Sequence, residues 1–102
     1  MEHPDMSETK KERICAIAQA IIRRAIEDLM NGNEQYRKSL EQYFASPTFT
    51  RHRTLAGYPE ELADSLAEMV LLSRHERVAM GKEILSLLEE IPEETPERKT
   101  PQ

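Results

Sequence analysis

The amino-acid sequence predicts an all-α fold, a compact bundle of about five helices joined by short loops, with a helix-turn-helix-like centre. Three observations carry this expectation. Apolar residues recur at three- and four-residue spacing through most of the chain, the periodicity of a helix with one buried face. Helix start and stop signals punctuate the sequence at short intervals. The composition, 38% hydrophobic and 32% charged with only 3 Gly in 102 residues, suits a folded, highly solvated helical domain with a thin core. At this length one domain is expected, residues 9–91, with a disordered leader over 1–8 and a disordered tail over 92–102.

The first start signal is Thr9 followed by Glu12, the spacing of a capping box, so the first helix is expected to begin there. Ile14, Ile17, Ala18, Ile21, Ile22, Ala25, Ile26 and Leu29 then form one broad apolar face, with Gln19, Arg23 and Glu27 opposite. That arc is wider than a two-helix seam needs. It implies a central helix, or one that shares part of its face with a second subunit. Asn31-Gly32-Asn33 should stop it, glycine by taking the left-handed conformation and Asn33 by capping the helix that follows.

The second helix is expected over 34–45, burying Tyr36, Leu40, Tyr43 and Phe44 and leaving Glu34, Arg37, Lys38 and Glu41 wet. Ser46-Pro47 reads as an N-cap and a first-turn proline, which opens a short third helix over 47–56. Its buried line is Phe49, His52 and Ala56, helped by Leu55. Gly57 ends it and Tyr58 bridges to a fourth helix over 59–72. That helix should bury Leu62, Ala63, Leu66, Met69 and Val70, with Glu60, Glu61, Asp64 and Glu68 outside. Carboxylates in its first turn suit the positive end of the helix dipole. Ser73 and Glu76 repeat the capping-box spacing and start a fifth helix, whose face is Val78, Gly81, Ile84, Leu85 and Leu88. A glycine in mid-helix costs about 1 kcal/mol against alanine, so Gly81 suggests a close helix crossing. Pro92 closes the helix, and PEETPERKTPQ lacks any aliphatic residue.

Charge narrows the function. A net charge of −5 opposes general affinity for nucleic acid or anionic membrane, since such binding draws on Lys and Arg that displace counterions. The charge is nevertheless segmented. Residues 46–58 carry Arg51 and Arg53 with no acid; residues 59–73 carry Glu60, Glu61, Asp64 and Glu68 with no base; residues 74–82 return to net positive through Arg74, Arg77 and Lys82. Such alternation suits pairing between helices or a surface that a protein partner matches. The lone cysteine, Cys15, excludes an internal disulfide and fits a reducing cytoplasm, and no apolar run reaches the roughly 18 to 20 residues of a membrane span.

The run Thr54-Leu55-Ala56-Gly57-Tyr58-Pro59-Glu60-Glu61-Leu62-Ala63-Asp64-Ser65-Leu66 resembles the turn and second helix of bacterial helix-turn-helix repressors. In those proteins the second helix enters the major groove. Here the positions that would meet phosphates are Glu60, Glu61 and Asp64, and Pro59 stands at the cap. The wider run from Ala25 to Leu66 resembles small uncharacterised helical proteins of phages and prophages, through Ala25, Asp28, Leu29, Tyr43, Ser46, Phe49 and Leu55 to Pro59. The match is partial, because Arg51-His52-Arg53 occupies the place of an aromatic-cysteine pair. It implies an origin in a mobile element and no particular activity.

No chemistry is legible. His52 and His75 lack a second ligand at helical spacing, Cys15 reads as a small packed hydrophobe, and there is neither a phosphate-binding glycine loop nor a nucleophile with an assignable base. No cofactor, metal or catalytic residue is therefore expected. The expected function is a non-enzymatic protein-interaction module, cytoplasmic, able to homodimerise through the first helix. Its candidate partner-binding residues are Arg51, Arg53, Tyr58, Glu60, Glu61, Asp64 and Glu68. Two alternatives stay open: a small DNA-binding regulator using Arg51 and Arg53, and an inhibitor of a host nucleic-acid-binding or defence enzyme that mimics phosphate charge with its acidic helix.

Overall fold

A computed structural model describes residues 4–91, and side chains from Lys10 onward. Five helices follow one another: α1 Pro4–Asn31, α2 Glu34–Phe44, α3 Pro47–Ala56, α4 Glu61–Met69 and α5 Arg74–Leu88. No strand occurs among the described residues, and the fold is an all-α bundle. The expected tail over 92–102 lies outside the described residues, as do residues 1–3.

The first correction concerns where α1 begins. It runs from Pro4, so the Thr9–Glu12 spacing falls inside the helix rather than at its start, and most of the expected leader is helical. Proline is well suited to a first turn because its missing amide has no intrahelical partner there. At 28 residues α1 is about 42 Å long at 1.5 Å per residue. It is the longest element of a molecule measuring 54 × 27 × 19 Å.

Helices α2, α3 and α5 obey their local signals closely. Asn33 caps α2 by accepting from the Tyr36 amide at 3.0 Å, and Ser46 caps α3 by accepting from Phe49 at 3.2 Å. Gly57 closes α3 in the left-handed conformation, φ 77°. Ser73 and Glu76 form both halves of a capping box on α5. Gly32 departs from expectation. It keeps negative φ, and its amide donates to Asp28 O at 2.7 Å. A Cβ there would lie 2.6 Å from Asp28 O and from the Tyr36 side chain, so glycine is needed for close approach and not for backbone conformation.

Packing is centred on α1, which meets α2, α3 and α5. Helix α3 lies across α1, whereas α4 rests mainly on α2 and α5. The two helices of the helix-turn-helix-like segment both touch α2, but α3 leans chiefly on α1 and α4 turns to α5. Helix α4 is also shorter than the 59–72 expected, and gives way after Met69 to tight i→i−3 hydrogen bonds at Leu71 and Leu72.

The core is built from Ile22, Ile26 and Leu29 of α1, Phe49 of α3, and Leu66 and Met69 of α4, each with under 2% of its surface exposed. Burying a side chain of this size stabilises a fold by about 1.5–3 kcal/mol. Phe44 and Phe49 meet edge to face at 5.3 Å, as do Tyr43 and Phe49 at 5.5 Å. The close crossing predicted at Gly81 is present: a Cβ there would run into the Met30 side chain and stand 2.9 Å from Met69 Cε.

Candidate protein-interaction site

The largest departure from the sequence reading is the face that α1 buries. Cys15, Ala18, Gln19, Ile22, Ala25, Ile26, Leu29 and Met30 point inward, whereas Ile14, Ile17 and Ile21 are 42%, 58% and 40% exposed. Gln19, expected to be wet, is buried. Its amide donates to the Ala56 carbonyl at 2.9 Å, and the Cys15 thiol approaches the same oxygen at 3.5 Å. The C-terminal end of α3 thus presses on the small side of α1, where Cys15 and Ala18 let backbones approach. The isoleucines, only a fraction of a turn away, are left facing solvent. Residues 14, 17 and 21 repeat at three and four, so they form one continuous apolar stripe along the N-terminal half of α1.

The residues predicted from sequence to meet a partner divide into two groups. Arg51 is exposed on α3, and Glu60, Glu61, Asp64 and Glu68 are exposed on α4 or its first turn. The other two serve the fold. Tyr58 is 3% exposed and belongs to the core, and Arg53 is half-buried, donating through Nη1 to the Tyr58 carbonyl at 2.9 Å. The basic patch before the turn is thereby reduced to one outward arginine.

Two further arginines counted as surface charge are structural. Arg77 is 7% exposed; its Nε donates to Leu29 O at 3.3 Å and its Nη1 to Leu72 O at 2.9 Å. It supplies the C-terminal end of α1 with a cation that α1 lacks in its own last turn. Arg37 is half-buried, bonds Glu34 through both Nε and Nη2, and also reaches Val70 O at 3.2 Å. The hydrogen bond between Arg37 and Glu34 lowers the Glu34 carboxyl from its ordinary value and raises Arg37. Burial pushes Tyr43 up, and its hydroxyl meets His52 Nδ1 at 2.7 Å. His52 is therefore half-buried with a partner, and His75 is exposed.

An apolar groove of about 160 Å³ opens between the start of α4 and the end of α5, lined by Leu62, Ile84, Leu87, Leu88 and Ile91 with Pro59, Glu61 and Ser65 at its edge. Leu87 is 58% exposed there. A wider polar cleft of about 320 Å³ between α1 and α5 mixes Arg23, Arg24, Glu27 and Glu89. Among the described residues no group of three His, Cys, Asp or Glu side chains is placed to hold a metal ion, and no helix is long and apolar enough to cross a membrane.

Sequence reasoning missed the groove as a surface. It placed Ile14, Ile17 and Ile21 on one broad face with the core residues and left open that part of this face meets a second subunit, and the signal that could have shown which part is the run of small residues at 15, 18 and 25, which favours close helix approach on that side. Comparison of the chain with models of known protein families, with characterised proteins and with solved structures finds no match in any of the three.

Proposed function

We propose that this protein is a non-enzymatic helical interaction module whose main contact surface is the isoleucine stripe of α1, and that it self-associates at micromolar concentration. The observation that carries this reading is the exposure of Ile14, Ile17 and Ile21 on an otherwise well-filled core. Three large aliphatic side chains in line on one helix face form the kind of contiguous apolar surface that marks an interaction site, unlike single scattered hydrophobes. An origin in a phage or prophage is part of the same reading and rests on the resemblance of the Ala25 to Leu66 run alone.

The exposed carboxylates of Glu60, Glu61, Asp64 and Glu68 support a protein partner over a nucleic acid. A DNA-reading role for α4 would bring these charges toward phosphates, with Arg51 as the one outward arginine of α3 to offset them. The same carboxylates are what a phosphate-mimicking inhibitor would use, and charge reversal at Glu60, Glu61 and Asp64 would abolish binding of that kind.

Light scattering across a concentration series tests the main reading. A mass rising above 11.8 kDa in the micromolar range is expected, with the rise removed by Ile17→Asp. A constant mass of one chain at every concentration overturns self-association.

A further inference from the structure

The two exposed apolar surfaces of the molecule carry opposite charge. The α1 stripe is flanked by bases at helical spacing: Lys10 lies four residues before Ile14, Arg13 four before Ile17, and Arg24 three after Ile21. All three are exposed. Of the acids at the same spacing from Arg24, Asp28 already accepts from Arg24 Nε at 3.1 Å, and Glu27 lies with Arg23 and Arg24 in the polar cleft toward α5.

The groove between α4 and α5 is rimmed by acids. Glu61 forms part of its wall and Asp64 follows one turn on; Glu83 and Glu90 lie four residues before and three after the exposed Leu87. All four are exposed, and Lys82, the nearest base on α5, projects from a different side of the helix. The groove is open and apolar, with room for an aliphatic side chain between its acidic edges.

We infer that the groove between α4 and α5 receives the α1 isoleucine stripe of a second copy of this chain, in a head-to-tail contact. The inference rests on the self-association proposed above and specifies its geometry. Isoleucines fill the groove while Lys10, Arg13 and Arg24 face Glu61, Asp64, Glu83 and Glu90, so apolar burial supplies attraction and charge sets the pairing. A symmetric contact between two stripes would instead bring basic flanks together, which is unfavourable. Because the two surfaces lie on different parts of the molecule, the contact is heterologous. It closes into a dimer if both interfaces form reciprocally, and propagates as a chain if they do not.

The experiment is a mixing test by light scattering with the full chain and two variants, Ile17→Asp, which spoils the stripe, and Leu87→Asp, which spoils the groove. Both positions are 58% exposed, so the helical circular dichroism of each variant should match the parent. If either loses helix, Ile17→Gln and Leu87→Gln replace them. Each variant alone is expected to have the mass of one chain at concentrations where the parent associates. An equimolar mixture is expected to give a 1:1 complex of twice 11.8 kDa, because one variant keeps its groove and the other keeps its stripe. Raising salt from 50 to 500 mM should weaken that complex.

Continued association of Leu87→Asp by itself overturns the inference and leaves the interaction-module reading standing with a stripe-to-stripe contact. Continued association of Ile17→Asp, or two monomeric variants that do not combine, overturns it as well. A parent chain that is monomeric throughout overturns both readings together.

Discussion

The two halves of α1 are made of similar residues and meet opposite surroundings. From Ile22 to Met30 the helix buries Ile22, Ile26 and Leu29 completely, and Arg77 and Gly81 of α5 close on its end at Leu29 and Met30. Between Lys10 and Ile21 the buried side chains are Cys15, Ala18 and Gln19, while three isoleucines stay open. Hydrophobicity alone does not separate Ile17 from Ile26. What separates them is the neighbour. Helix α3 approaches the N-terminal half on its small side, held there by the Gln19 amide on Ala56 O, and none of the described helices covers the larger side.

That contrast makes its largest prediction at its two extremes. Ile26→Ala removes a fully buried side chain and should cost about 2–5 kcal/mol by urea unfolding. Ile17→Ala, measured at concentrations where the chain is monomeric, should stay within about 0.5 kcal/mol of the parent. Similar losses at both sites would mean the stripe is covered within one molecule. An intermediate effect is expected where the halves meet: Gln19→Ala strips the Ala56 carbonyl of its amide donor and should cost about 1–3 kcal/mol. A smaller loss than at Ile26 or Gln19 concerns the covered half. Gly81→Ala would gain about 1 kcal/mol of helix propensity but pushes on Met30 and Met69. Overpacking of about 1–3 kcal/mol leaves a net loss near 1 kcal/mol, visible as a few degrees in the melting temperature. A stabilised Gly81→Ala would show that Met30 yields freely.

What was legible in the sequence is what local chemistry decides. Ser46, Gly57, and the Ser73–Glu76 pair each act on backbone groups three to five residues away, and α3 runs over the residues their signals mark. Gly81 was legible because a glycine in mid-helix is unfavourable unless something comes close. The errors share a different cause. Gln19, Arg37 and Arg77 have their decisive partners 33 to 48 residues away, at Ala56, Val70 and Leu29, and no periodicity within one helix reveals such a partner. A buried glutamine and a buried arginine look like wet residues until the carbonyl they satisfy is known. The candidate site was mixed for a more local reason: the carboxylates of α4 face solvent as expected, but Tyr58 is taken into the core and Arg53 turns to the Tyr58 carbonyl across the turn.

Arg77 also bears on the order in which the chain acquires structure. Its guanidinium joins the Leu29 carbonyl at the end of α1 to the Leu72 carbonyl before α5, spanning 48 residues of sequence to the first of these. During synthesis α1 to α4 are complete before Arg77 has been added, so the C-terminal end of α1 waits without its cation until α5 arrives. Closure of that long loop is an entropic step taken late, and the contact that rewards it also brings Gly81 onto Met30. Helix α5 is thereby the latch of the described bundle, and a chain that stops before it lacks the contacts that Arg77 and Gly81 make with the end of α1.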